Sequence, residues 1–223
     1  MARPRPDCCY DDEFDEAIAE RDLRAYRRGG PGRTTRLLAG ALAGSGATGL
    51  TVLDIGGGIG GLHRLLLEAG ATLAVDVDAS GPYLAVAARE AERLGLASRV
   101  AFVHGDLVST TEGQIAPADL VGLDRVVCCY PDVDALVGAA ARLTRRRLGI
   151  AVPPDGRAAR FVIGAINLWQ RVIRSRLRMH AHDHAAIARA AERFGLAQRE
   201  TLRAGMWRVL VFERPTVSAQ AGG

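Results

Sequence analysis

The stretch Val52-Leu53-Asp54-Ile55-Gly56-Gly57-Gly58-Ile59-Gly60-Gly61 puts five glycines into six positions, between a short apolar run and a helical pattern. Without Cβ atoms, such a loop lets the backbone press against a ligand and aim N–H groups at it from a helix N-terminus. A strand that feeds a glycine loop and then a helix needs neighbouring strands to pair with. The rest of the chain supplies them.

Apolar runs and helical patterns alternate after residue 50. Leu50 to Leu53 reads as strand one and Thr72 to Val77 as strand two. Val100 to His104 reads as strand three, Arg125 to Cys129 as strand four and Leu148 to Val152 as strand five. Helices are expected from Ile59 to Ala69, Pro82 to Leu94 and Asp132 to Leu143, the last capped by Asp132. Apolar strands alternating with helices predict an α/β fold: a Rossmann-like three-layer sandwich with a mostly parallel sheet. Ligands of such sheets sit at the carboxyl ends of the strands, near the reversal of strand order. Beyond Pro153-Pro154-Asp155-Gly156 the pattern changes. Helices are expected over Phe161 to Leu177 and Asp183 to Phe194. Gln198 to Leu202 and Trp207 to Glu213 alternate like two strands, giving a terminal antiparallel strand. Phe14, Ile18, Leu23 and Tyr26 mark a helix near the start, and Thr34 to Leu42 another. The expected organisation is a helical lid over 1–45 and a core over 46–214. A helical cap is inserted at about 157–182, and a tail follows at 215–223.

Composition narrows the class. The chain has 223 residues, 48% of them hydrophobic, enough for one sizeable domain. The net charge of +4 comes from 29 arginines and no lysine, spread along the chain without interleaved aromatics, so nucleic acid is not an expected partner. No apolar run reaches the roughly 18 residues that span a bilayer. The first residues turn acidic where a signal peptide would be apolar, and a cytoplasmic location is expected. The cysteines form two adjacent pairs, Cys8-Cys9 and Cys128-Cys129. No C-x-x-C spacing suggests a zinc site.

Two ligands compete for the glycine loop. Gly56, Gly58 and Gly61 satisfy G-x-G-x-x-G, and Asp76 lies twenty residues past Gly56, as a dinucleotide site requires. But Asp54 ends the preceding strand, and its carboxylate would repel a pyrophosphate. It suits a ligand with an ammonium group. The pattern Asp54-x-Gly56-x-Gly58-x-Gly60 resembles the first motif of class I S-adenosylmethionine-dependent methyltransferases. The resemblance implies S-adenosylmethionine as cofactor, with Asp54 facing its methionine end. Asp76-Val77-Asp78-Ala79-Ser80 is similar to the family's ribose-binding segment. Asp78 matches the ribose acid by spacing, and Asp76, on the same strand face, remains an alternative. His104-Gly105-Asp106-Leu107 is similar to the family's Gly-Asp element. This implies that Asp106 accepts from the adenine amino group and that the Leu107 N–H reaches the ring. A nicotinamide-dependent oxidoreductase and a non-catalytic S-adenosylmethionine-binding domain are the rival readings.

The resemblance also implies that the transferred methyl lies beside the end of strand four, where Cys128, Cys129, Tyr130 and Pro131 stand. Cys128 is expected to pack against the cofactor. The Tyr130 hydroxyl is expected to orient a small-molecule acceptor. His180, His182 and His184 sit between predicted helices without a fourth ligand, so no metal is expected. His182 is the candidate general base, with an unperturbed pKa near neutrality. The helix over 161–177 and the helical N-terminus resemble those of the magnesium-protoporphyrin O-methyltransferases. The acceptor atom stays open.

Overall fold

The apolar runs become strands whose residues alternate between two cores, as period-two geometry requires. In β1 (Thr51–Ile55), Val52 faces one core while Leu53 and Ile55 face the other. A computed structural model describes residues 10–110 and 113–215. β2 (Leu73–Asp78), β3 (Val100–His104), β4 (Ala118–Asp124), β5 (Thr144–Val152), β6 (Ala197–Ala204) and β7 (Trp207–Glu213) complete one sheet, in the order β3-β2-β1-β4-β5-β7-β6. The first five strands are parallel, and β7 runs antiparallel between β5 and β6. The predicted sandwich and its antiparallel end are both present. Cys8, Cys9 and all of the expected tail except Pro215 lie outside the described residues.

Helices cover both faces. α3 (Arg33–Ala43) and α4 (Gly61–Glu68) bury Leu38, Leu42, Leu62 and Leu66 on one side. α6 (Val133–Arg142) and α8 (His184–Glu192) bury Leu136, Val137 and Ile187 on the other. α5 (Gly81–Arg93) packs with α2 (Glu16–Gly29), through Val86 against Ala19 and Leu23. Ser80, Asp132 and Asp183 cap α5, α6 and α8. The remaining helices are α1 (Tyr10–Glu13) and α7 (Arg157–Val172).

Two expectations shift. α7 begins before Phe161 and stops at Val172, five residues short of the predicted end. Strand four is Ala118–Asp124, and Val127–Cys129, expected inside it, form a 3-10 turn. Asp119 and Gly122 interrupt the apolar run of the true strand and hid it. Each has a structural reason. Asp119 accepts from the Thr51 N–H at 3.0 Å and its hydroxyl at 2.9 Å, tying β4 to β1. A Cβ on Gly122 would lie 2.3 Å from Cδ2 of buried Leu62, so glycine lets α4 settle onto the sheet. Gly122→Ala should lower stability by about 1–3 kcal/mol, the usual cost of overpacking. Thermal melts should show a fall of several degrees; an unchanged melting point would mean that α4 is not held against Gly122.

Candidate active site

The chain passes from β3 back to β4, so strand order reverses between β1 and β4. A cavity of about 680 Å³ opens there, at the carboxyl ends of the parallel strands. The glycine loop forms its floor. Gly56 (φ +63°) and Gly58 (φ +57°) both line it in left-handed conformations that favour glycine. Gly60 does not line the cavity. Its missing Cβ makes room for the His63 ring, whose Nε2 would lie 2.6 Å from it.

The three strand-end acids divide into a buried pair and an open member. Asp54, fully buried, accepts from the His63 N–H at 3.1 Å and pairs with His63 Nδ1 at 3.0 Å through Oδ2. Its Oδ1, on a residue that lines the cavity, is buried without a partner. Asp76 lies beneath the loop, 3.7 Å from His63 Nδ1, and does not reach the cavity. Neither of its oxygens has a well-formed hydrogen bond. Burial, followed by the neighbouring Asp54 and Asp78 carboxylates, pushes its pKa well above the usual carboxylate range, against a weak pull from the Gly57 amide. Asp78 does line the cavity. Its two oxygens accept from the Gly58 N–H at 2.9 Å and the Ser80 N–H at 2.8 Å, which clamps the glycine loop to the start of α5. Of the two candidates on β2, only Asp78 faces a ligand-sized space.

Asp106 and Leu107 also line the cavity, after β3. Asp106 accepts from the Val108 N–H at 3.2 Å, the Ser109 hydroxyl at 2.9 Å and the Tyr130 hydroxyl at 3.1 Å. That last bond changes the reading of Tyr130. Its ring lines the cavity, and its hydroxyl donates to Asp106. Burial, then the Asp106 charge, pushes the phenol pKa up. Tyr130 thus keeps its proton and braces an acid.

Cys128 and Cys129 line the same wall, their sulfurs 3.8 Å apart. His182 lies outside the lining and its Nε2 bonds the Tyr130 carbonyl at 2.9 Å. The His180 N–H donates to the Cys128 carbonyl at 2.7 Å, and His184 Nε2 bonds the Pro153 carbonyl at 3.0 Å. The histidine segment is therefore a strap that ties down the loops after β4 and β5. Among the described residues no group of three His, Cys, Asp or Glu side chains could hold a metal ion.

Several lining residues were not singled out in the sequence as site residues. Tyr10 and Phe14 line the cavity, stack on one another, and set Phe14 edge-on to Tyr83. Glu13, between them, binds the Ser175 hydroxyl at 2.8 Å, so the N-terminal helices and the segment after α7 meet at the mouth. Asp124 ends the true β4 and accepts from the Thr35 hydroxyl at 2.6 Å. Correct placement of strand four would have exposed it, because an acid at a parallel strand's carboxyl end is a site signal.

Residues 52–147 match the family model for the methyltransferase domain. No curated protein matches the chain. Several solved structures share the fold. Magnesium protoporphyrin IX methyltransferase from Synechocystis PCC 6803, solved with bound SAH, is 24% identical over 82% of this chain and 81% of its own, with a TM-score of 0.64. An O-methyltransferase family protein from Burkholderia thailandensis is 19% identical with a TM-score of 0.73, covering 94% of this chain and 64% of its own. An O-methyltransferase family 2 protein from Planctomyces limnophilus DSM 3776, in complex with apigenin, is 19% identical with a TM-score of 0.66, covering 90% and 62%. The strand order, the glycine loop and the family match agree: residues 52–147 match a methyltransferase domain, and the sheet around them has the Rossmann-like fold of these solved methyltransferases.

Proposed function

We propose that the protein transfers a methyl group from S-adenosylmethionine to a small-molecule acceptor held beside the loop after β4. One observation carries this reading. The glycine loop, Asp54, Asp78 and Asp106 line a single cavity, and Asp54 Oδ1 is buried without a hydrogen-bond partner. A buried acceptor with no donor fits a ligand that brings its own ammonium group. Asp54 would hold that end of the cofactor, Asp78 the ribose hydroxyls, and Asp106 with the Leu107 N–H the adenine. When bound, S-adenosylmethionine supplies a methyl already activated on sulfur.

The chain's own task is then alignment and exclusion of water. Tyr10, Phe14, Cys129, Tyr130, Met179 and Trp207 give the remaining space a mostly apolar wall. An acceptor with an aromatic or aliphatic body fits it. His182 is better placed to position the Tyr130 backbone than to take a proton from the acceptor. The helices before residue 45 and the 157–182 insertion act as lid and cap.

Tyr130→Phe should weaken S-adenosylmethionine binding by roughly 10-fold, the low end for a hydrogen bond to a charged group, because Val108 and Ser109 still serve Asp106. The maximal rate should stay within about 3-fold. The opposite pattern, unchanged affinity with turnover down 10²-fold or more, would return the hydroxyl to the acceptor side. The function itself is tested by incubating the protein with methyl-labelled S-adenosylmethionine and a panel of phenolic, carboxylic and amine acceptors. Labelled product and S-adenosylhomocysteine are expected with at least one class. Tight cofactor binding with no product from any class would support a binding domain without turnover.

A further inference from the structure

α7 is built the wrong way out for a helix of a free-standing domain. It buries only Ile163. At 3.6 residues per turn, Leu168, Phe161, Val172, Ala165, Trp169 and Val162 share one arc of roughly 120°. That arc faces solvent: Phe161 is 79% exposed, Val172 67%, and Leu168 and Trp169 63% each. The opposite face carries Ile163, Asn167 and Gln170 inward. Asn167 holds the Met179 backbone through both its amide atoms, at 2.8 Å each. The side packed on the protein is thus partly polar and the side shown to solvent is apolar. Contiguous exposed apolar surface of this kind marks an interaction site.

Charge identifies the partner. Between Asp155 and Asp183 the chain has six arginines, at 157, 160, 171, 174, 176 and 178, and no acid. Arg157, Arg160 and Arg171 fall on one flank of the apolar arc by helical spacing, and all three are exposed. Arg174 and Arg176 extend the exposed positive strip past the helix end. A second copy of the chain on this face would set arginines against arginines with no carboxylate from the segment between them. An anionic surface with an apolar layer beneath it satisfies both features at once. Helices with aromatic and aliphatic residues on one face and basic residues beside it lie in such interfaces. No helix among the described residues is long and apolar enough to cross a membrane.

We infer that the exposed face of α7 docks the protein on an anionic lipid surface, with Phe161, Leu168, Trp169 and Val172 entering the headgroup–acyl boundary and the flanking arginines held by lipid phosphates and carboxylates. α7 also steadies the segment that carries cavity-lining Met179. Docking would therefore set the cavity mouth close to the lipid.

The test is co-sedimentation of the full chain with phosphatidylcholine vesicles, with and without phosphatidylserine. Binding should be at least about 10-fold tighter to the anionic vesicles, fall with added salt, and shift tryptophan emission to the blue. Phe161→Ser/Trp169→Ser should abolish it. Arg171→Ala/Arg174→Ala should weaken it roughly 30-fold, taking about 1 kcal/mol per arginine near such a surface. Both double variants should keep the wild-type circular dichroism. Three outcomes would overturn the inference: no binding to anionic vesicles, equal binding by wild type and both variants, or self-association that Phe161→Ser/Trp169→Ser removes while lipid binding is absent. The last would make a second copy the occupant.

Discussion

Asp78→Ala is expected to weaken binding of S-adenosylmethionine and S-adenosylhomocysteine by roughly 10–150-fold, read by calorimetry. The size follows from losing hydrogen bonds to a charged group, at about 1.5–3 kcal/mol. The same change frees the Gly58 and Ser80 amides, so the loop that presents the cradle loses its anchor. Asp76 is the internal control. It lies two residues away on the same strand but is buried outside the cavity lining. Asp76→Asn should leave cofactor affinity within a few-fold. It should also make the protein relatively more stable as pH rises. A carboxyl whose folded pKa is raised by burial and by Asp54 opposes folding increasingly above the ordinary carboxylate range, and the amide carries no such charge. Normal binding by Asp78→Ala with lost binding by Asp76→Asn would move the site on β2 by two residues.

Glu90→Gln should lower stability by about 2–3 kcal/mol near neutral pH. Glu90 is 1% exposed and gathers three arginines. Arg93 binds it at 2.7 and 2.8 Å, Arg27 through Nε and Nη2, and buried Arg64 at 3.3 Å. Arg64 also lies 4.0 Å over the Tyr26 ring, which lines the cavity, so the cluster links α2, α4 and α5 behind the site. Removing the carboxylate leaves buried Arg64 with the Gly60 and Ile59 carbonyls and the Tyr26 ring, and no counter-charge in contact. The magnitude sits low in the range for broken buried pairs because Arg27 and Arg93 reach solvent. The Arg93 hydrogen bonds, helped by Arg27 and opposed by burial, hold the Glu90 pKa down to about 2 from 4.5. A depressed carboxyl stabilises the fold above its unfolded pKa and stops doing so as pH falls through its folded one. Denaturant melts of wild type and Glu90→Gln should differ fully above pH 4.5 and converge towards pH 2. A gap that ignores pH would rule out the charge as its source.

Most of the sheet, strand four apart, is legible because its signals are local. Val52, Leu53 and Ile55 alternate into two cores, and Ser80, Asp132 and Asp183 cap helices through their own side chains. The glycine loop was legible as a cradle, though its glycines serve different neighbours: Gly58 faces the cavity, Gly60 yields to His63, and Gly57 would carry a Cβ 2.4 Å from Asp76 Oδ1. What could not be read depends on the third dimension. β4 escapes the sequence pattern because Gly122, which breaks its apolar run, is there for Leu62, sixty residues earlier in the chain. The Tyr130–Asp106 hydrogen bond joins loops after two strands that are not neighbours in the sheet, so no local pattern announces it. The outward apolar face of α7 has the same helical period as a buried one, and only the exposure of Phe161 and Trp169 separates them.

The most direct measurement is calorimetric titration of the full chain with S-adenosylhomocysteine and, separately, with NADH. The site described here predicts saturable one-to-one binding of S-adenosylhomocysteine, weakened in Asp78→Ala, and no detectable heat from NADH at the same concentrations. Tight NADH binding without any for S-adenosylhomocysteine would contradict it, and would make the glycine loop a pyrophosphate cradle in spite of Asp54.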